Sequence, residues 1–351
     1  MTGNRPRGAA IAGIGIAQPP GTAQDDLWSG FFARHYAGAS RELARRIFAN
    51  SGVRRRHAAI NPTTEDISGW TTGQRMERYL VEAMPLGKWA AGDALAAAGV
   101  DAHDVGMFAV CSCTGYVTPG LDVLLARDLG MAPATQRLAI GHMGCYAAVP
   151  GLGVVRDFVL ANQRPAVLLC LEITSLHVQP PTADPEQIVA HALFADAAAA
   201  VVVTPQASGY ELVEVAAVTD ATAADHMTWD VTDHGFRMGL SARVPDVLAV
   251  HVTAMVDDLL SRHGLVRSDV DGWAVHPGGP RILDVVADRL ELPPGALYES
   301  RNVLAEHGNC SSATVLMVLE EITRRSQPPR YVVALAFGPG LTLYGALLRN
   351  S

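Results

Sequence analysis

Three residues of this sequence could act together on a carbonyl compound: Cys145, His276 and Asn309. A cysteine thiolate is a nucleophile that can carry an acyl group. An imidazole can pair with that sulfur and move its proton, and a carboxamide N–H can donate to an oxygen on which charge builds. Donors aimed at one such oxygen are worth roughly 3–4 kcal/mol each in a water-excluded site. Glycines flank each residue (Gly141 and Gly144, Gly278 and Gly279, Gly308), so backbone can approach a bound molecule closely. Each residue also has a plainer reading. A free cysteine packs as a small hydrophobe, a lone histidine is commonly structural, and an asparagine before a helix is first an N-cap.

The elements that must position them are legible around each one. Gly141-His142-Met143-Gly144-Cys145-Tyr146-Ala147-Ala148 follows a strand-like run, 136–140, and opens a long apolar helical segment, 146–161. Cys145 therefore stands where a strand turns into a helix, and the first-turn N–H groups would favour its thiolate. A strand at 273–275 ends in His276-Pro277-Gly278-Gly279-Pro280, and Asn309-Cys310-Ser311-Ser312 opens a helix at 313–325. All three residues lie at element ends, where α/β folds place their sites.

The rest of the chain supplies the frame. Strands are predicted at 9–17, 105–112, 166–171 and 198–204, with helices at 27–36, 40–51, 74–98 and 121–129. After Pro205 the rhythm begins again, with strands at 210–218, 331–337 and 343–348 and helices at 248–263 and 281–290. Residues 172–181 read as a polar loop, and the stretch holding His226, Trp229 and Asp230 as a polar passage. Strands alternating with helices imply an α/β architecture with strands buried on both faces. Two halves of similar rhythm, 1–205 and 206–351, imply a duplicated fold sharing one core.

The totals narrow the function classes. The 351 residues are 49% hydrophobic and carry a net charge of −8, which argues against a nucleic-acid footprint. The basic run Arg54-Arg55-Arg56 reads as a solvated face. No uninterrupted apolar run reaches the roughly 18 residues of a membrane span, and Met1 to Arg7 lead into a short strand without a secretory h-region. Five cysteines, an odd set, fit reduced thiols in a cytoplasm. Cys111-Ser112-Cys113 lacks the pair spacing of a structural zinc site, so no metal is expected.

The motifs resemble those of one family. Met143-Gly144-Cys145, Ala192-Leu193-Phe194, His276-Pro277-Gly278-Gly279-Pro280, Gly308-Asn309-Cys310-Ser311-Ser312 and Phe337-Gly338-Pro339-Gly340-Leu341 stand in the order and spacing of type III polyketide synthases, the chalcone synthase-like enzymes. The resemblance spans about residues 9–348. It implies a thiolase-like, duplicated αβαβα five-layered fold and a homodimer. Cys145, His276 and Asn309 would be its catalytic triad, Phe194 an aromatic gatekeeper, and Gly278, Gly338 and Gly340 part of the substrate site. Acyl-CoA and malonyl-CoA would be substrates, with no further cofactor and no carrier protein. Cys145 would take the acyl starter, and decarboxylated malonyl-CoA would attack it in a Claisen condensation.

Departures from the plant pattern bear on substrate. Ala195-Asp196-Ala197 replaces Gly-Asp-Gly, and of three basic CoA contacts Arg46 is retained while Leu43 and Asn50 hold the other positions. The cavity-lining positions read Cys113, His177, Phe194, Trp229, Met238 and Ser311. Cys113 matches bacterial members such as tetrahydroxynaphthalene synthase. The run from Trp229 to Ser241 resembles alkylpyrone and alkylresorcinol synthases, which take fatty acyl starters. His177 fits neither and could shorten the tunnel. The expectation is a medium- or long-chain aliphatic starter and an alkylpyrone or alkylresorcinol product. The alternatives are a malonyl-primed tetrahydroxynaphthalene-type synthase and a carrier-protein-dependent ketosynthase III.

Overall fold

A computed structural model describes residues 8–205 and 209–350. Met1 to Arg7, and Gln206 where the second half was expected to begin, lie outside the described residues. The first half holds strands β1 (Ala10–Ala17), β2 (Gly21–Ala23), β3 (Arg55–His57), β4 (Met107–Ser112), β5 (Gln136–Gly141), β6 (Ala166–Glu172) and β7 (Ala197–Thr204). Its helices are α1 (Gln24–Leu27), α2 (Ala33–His35), α3 (Gly38–Ala49), α4 (Thr72–Ala98), α5 (Leu121–Asp128), α6 (Ala148–Asn162) and α7 (Pro185–Leu193). The second half holds β8 (Tyr210–Thr219), β9 (Met227–Thr232), β10 (Gly235–Leu240), β11 (Gly272–Val275), β12 (Tyr331–Gly338) and β13 (Thr342–Asn350). With them are α8 (Val244–Ser261), α9 (Pro280–Arg289), α10 (Tyr298–His307) and α11 (Thr314–Thr323).

Nine of the strands form one mixed sheet in the order β11-β12-β13-β8-β1-β7-β6-β4-β5. Its two parts meet at a narrow seam, where β1 pairs with β8 at Ala10↔Glu211 and Ile11↔Tyr210. Elsewhere β1 runs antiparallel to β7 along its whole length. Helices α6 and α11 each pack against strands of both parts, so they lie between them. Helix α4 covers the outer face of β1, β6 and β7, with α5 beside it on β4 and β5; α8 covers β8 and β13, with α9 packed on it. These are the five layers of the expected thiolase-like fold.

The layering follows from strand alternation. On β6, Leu168 faces the central core and Leu169 the outer one; on β7, Val201 and Val202 divide the same way. Both strands are buried throughout, which is why they read as continuous apolar runs. The central core joins Leu152 and Val155 of α6 to Val315 and Leu319 of α11. The segment Gly144–Asn162 is long and apolar enough by composition to cross a membrane. Its position between two sheet parts accounts for that character as packing.

The expected elements are present, with four additions: the β2–β3 pair, α7, α10 and the β9–β10 hairpin. The helix expected at 27–36 is broken into α1, a π-helical turn at Trp28–Phe32, and α2. Residues 172–181 contain a 3-10 turn, Thr174–His177. Helix α4 begins with a Thr71–Gln74 capping box and ends on Gly99 in the left-handed region.

Candidate active site

Cys145 lies in a 3-10 turn, Gly144–Tyr146, between β5 and α6. The backbone there is forced: His142 has φ 55° and Gly144 φ 78°. A Cβ on Gly144 would fall 2.7 Å from Pro339 Cδ, so glycine lets the loop after β12 close over the Cys145 turn. His276 extends β11, its N–H donating to the Leu335 carbonyl (2.7 Å). Asn309 is set by a short parallel bridge with Phe194. Its N–H donates to the Leu193 carbonyl (2.8 Å), and its own carbonyl accepts from the Ala195 N–H (2.9 Å).

The three residues line one cavity of about 570 Å³, together with Phe194, Met238 and Phe337. All three are buried. Asn309 Oδ1 accepts from the Ser311 N–H (2.9 Å), which leaves its amide hydrogens to donate. Both His276 ring nitrogens are buried without a protein partner, so each is available to a substrate or to the thiol. Burial pushes the Cys145 thiol up to about 12, against the lowering hydrogen bonds from Ser311 and Asn309. Burial likewise pushes the His276 imidazole down to about 3. Neither group charges alone in so dry a site.

Behind the sulfur is a second, much smaller space of about 20 Å³, walled by Cys113, Phe194, Trp229, Met238 and Ser311. Its wall is pinned. The Trp229 indole N–H donates to the Cys113 carbonyl (2.7 Å), and Cys113 Sγ lies 3.4 Å from Ser311 Oγ. His177 is not on this wall. It stands behind Trp229, stacked on Phe236 at 4.6 Å, and lines a separate space of about 50 Å³. Its Nδ1 accepts from the Phe236 N–H (2.9 Å), so its Nε2–H donates to the Thr114 carbonyl (2.7 Å). His177 thus braces Trp229 instead of touching the tunnel, because both ring nitrogens are spent on backbone.

Three other expected contacts are displaced. Gly278 lines the large cavity, but Gly338 and Gly340 are not on its wall. Gly338 packs against Tyr146 and the Cys145 N–H, and Gly340 against Thr342. Arg46 is exposed on α3 and off the cavity wall; α3 reaches the cavity through α7, on which it packs. Sequence reading passed over Glu172 and Arg281. The buried Glu172 carboxylate accepts from the Cys113 N–H (3.0 Å), Thr114 Oγ1 (2.8 Å) and Ser312 Oγ (2.5 Å), and burial raises its pKa. Its signal was a charge closing the apolar run of β6. Arg281 stands on the large cavity's rim, where α9 begins.

A buried cysteine at a helix start, with a histidine and an amide on the same cavity wall, suits acyl transfer through a thioester. Residues 3–207 match the N-terminal domain of chalcone and stilbene synthases, and residues 214–351 match the C-terminal domain. The chain belongs to the chalcone and stilbene synthase family. It is 37% identical to a 1,3,6,8-tetrahydroxynaphthalene synthase of Streptomyces peucetius subsp. caesius, over 98% of this chain and 93% of that protein. It is 29% identical to Pks18 of Mycobacterium tuberculosis, an alpha-pyrone synthesis polyketide synthase-like protein, over 88% of this chain and 82% of that one. The crystal structure of PKS-I from the brown alga Ectocarpus siliculosus superposes with a TM-score of 0.93 at 27% identity, covering all of both chains. As a type III polyketide synthase the chain is an acyl-transferring enzyme. Its family condenses acyl-CoA with malonyl-CoA, with loss of CO2 and without a carrier protein. That sets aside the ketosynthase III alternative.

Proposed function

We propose that this type III polyketide synthase primes itself with malonyl-CoA and builds a short polyketide that closes to a tetrahydroxynaphthalene-type aromatic. The observation that carries the reading is the space beside the Cys145 sulfur, about 20 Å³, which one water would fill. The two-carbon acetyl group left when a malonyl thioester loses CO2 and takes a proton enters with small shifts of Met238 and Trp229. A long alkyl starter needs a channel beyond Trp229, where His177 and Phe236 close the way. Similarity to a tetrahydroxynaphthalene synthase supports the same reading. The aliphatic starter expected from sequence becomes the second reading, favoured by the likeness to Pks18 and by the apolar lining of the larger cavity.

In this reading Cys145 attacks the starter thioester, and CoA leaves as its thiol with the proton that His276 took from Cys145. A malonyl-CoA then binds with its thioester oxygen toward His276 and Asn309. Their N–H donors stabilise the enolate left when CO2 departs. The enolate carbon attacks the acyl-Cys145 carbonyl, the C–S bond breaks, and a CoA thioester two carbons longer is released.

Purified enzyme is expected to give product from malonyl-CoA alone, read by mass spectrometry. A strict requirement for a fatty acyl-CoA would replace this reading with the second. A Trp229→Ala variant joins the space beside Cys145 to the one lined by His177, since Trp229 walls both. Products at least one malonyl unit longer, or acceptance of longer acyl starters, are expected in the same assay. The change costs about 3 kcal/mol of stability at most. An unaltered product set from the folded variant would show that another residue sets chain length.

A homodimer is part of the proposal. Strand β5 closes one edge of the sheet and is exposed along most of its length, including Leu138. An open strand edge of this kind is a template for a second copy, and light scattering on the eluted enzyme reads its mass. The cytoplasmic assignment rests on five buried cysteines, none in a disulfide.

A further inference from the structure

We infer that Arg56 is a positioning residue for the reaction, holding Phe194 and Asn309 in place against the substrate cavity through their backbone. The basic run Arg54-Arg55-Arg56 is not one solvated face. Arg54 and Arg55 are exposed, with Arg54 paired to Glu306, whereas Arg56 is 6% exposed. Its Nη1 donates to the His191 carbonyl (2.7 Å) and the Phe194 carbonyl (3.0 Å). Its Nε donates to Gln24 Oε1 (2.8 Å), and Gln24 Nε2 donates onward to the Ala192 carbonyl (2.8 Å). The cation therefore ties down two carbonyls at the end of α7 directly and a third through Gln24, leading into Phe194. Phe32 and Phe48 cover the guanidinium, 5.7 and 5.8 Å from its carbon.

The same segment carries Asn309. Leu193 and Ala195 exchange hydrogen bonds with its backbone, and the Asp196 N–H donates to the His57 carbonyl (2.8 Å) on the other side. Residues 193–196 are thus held between the Arg56–His57 strand and Asn309. Contact is also direct. Gly308 has φ 75°, and a Cβ there would fall 3.2 Å from Arg56 Cγ and 3.0 Å from Ala195 Cβ. Its direct hydrogen bonds go to carbonyls; burial lowers its pKa to about 10 although the Asp196 carboxylate nearby raises it, so it stays protonated at neutral pH. A buried charge is expensive, and an apolar residue could fill the space at less cost. The geometry gives it a use: a shift of about 1 Å in a donor amide is enough to lose much of its effect.

The inference rests on the roles proposed for Cys145 and Asn309, and its test separates the two. Arg56→Gln, Arg56→Lys and Asn309→Ala are compared with wild type in three readings: acyl loading of Cys145 by intact mass, decarboxylation of malonyl-CoA to acetyl-CoA, and melting temperature. In that reading loading requires Cys145 and His276, whereas decarboxylation requires His276 and Asn309. Arg56→Gln is expected to load within about threefold of wild type, while kcat for decarboxylation falls by roughly tenfold with KM little changed. Arg56→Lys, which can still reach both carbonyls, lies between, at about a threefold loss. Equal falls in loading and decarboxylation would reduce Arg56 to a structural role and overturn the inference. If Arg56→Gln does not fold, a wild-type ratio of decarboxylation to loading in Arg56→Lys overturns it equally. Decarboxylation lost in Asn309→Ala but intact in Arg56→Gln sinks the Arg56 inference alone; decarboxylation intact in Asn309→Ala sinks the underlying assignment as well.

Discussion

Replacing Cys145 with alanine is expected to suppress polyketide formation by at least about a thousandfold while malonyl-CoA is still decarboxylated. The two activities separate because they draw on different atoms of one cavity. Condensation needs an acyl group held on sulfur, and Cys145 is the cysteine that borders both the large cavity and the small space behind it. Decarboxylation needs donors on the thioester oxygen, the part proposed for His276 and Asn309, which line the same cavity. Neither donor depends on the sulfur for its placement. His276 is carried by the β11–β12 ladder and Asn309 by its bridge to Phe194. Alanine also preserves the turn, which continues into Ala147 and Ala148. With no acyl group to attack, the enolate takes a proton and leaves as acetyl-CoA. Chromatography with mass detection follows both products in one reaction. Polyketide persisting in the variant would remove Cys145 from the role of nucleophile. Loss of acetyl-CoA as well, from a protein with a normal melting temperature, would tie the sulfur to decarboxylation.

That Cys145, His276 and Asn309 meet at one cavity was legible because each is set locally. A cysteine between an apolar strand and an apolar helix, a histidine ending a strand before Pro-Gly-Gly-Pro, and an asparagine opening a helix all announce their backbone context. Buried strands such as β6 and β7 were equally plain, since both faces demand apolar residues. Helix α7 was missed although Asp184-Pro185-Glu186 spells an N-cap, a proline at N1 and an acid in the first turn. The hairpin hid for another reason. Met227, Trp229 and Val231 alternate with Thr228, Asp230 and Thr232, a strand signal that the polar half masked.

What sequence could not show was where side chains point after packing. His177 sits one 3-10 turn beyond β6 at a position that suggests a tunnel wall. Its two backbone hydrogen bonds turn it behind Trp229 instead. Arg54, Arg55 and Arg56 look alike in the chain, yet the pairing of β2 with β3 sends Arg56 inward while its neighbours stay in water. Gly338 and Gly340 read as substrate contacts, yet Gly338 packs against the turn that holds Cys145 and Gly340 against Thr342. In each case the deciding partner is remote in sequence.

The second large effect concerns the proton. His276→Gln is expected to slow iodoacetamide alkylation of Cys145 at pH 7 by on the order of a hundredfold or more, and to move the rise in rate above pH 9. The sign follows from burial. Alone in the dry site the thiol is pushed up to about 12, so at pH 7 its thiolate fraction is on the order of 10⁻⁵. The imidazole alone is pushed down to about 3 for the same reason. Passing the proton from sulfur to ring charges both at once, and their attraction offsets part of the desolvation each would suffer singly. Glutamine keeps a donor but cannot accept the proton, so the variant thiol reverts to its solitary behaviour. Peptide mapping separates Cys145 from Cys113, whose thiol burial also pushes up beside Glu172. A His276→Gln profile that overlays wild type would mean that the hydrogen bonds from Asn309 and Ser311 activate the sulfur unaided. His276 would then keep only its part in holding the thioester oxygen.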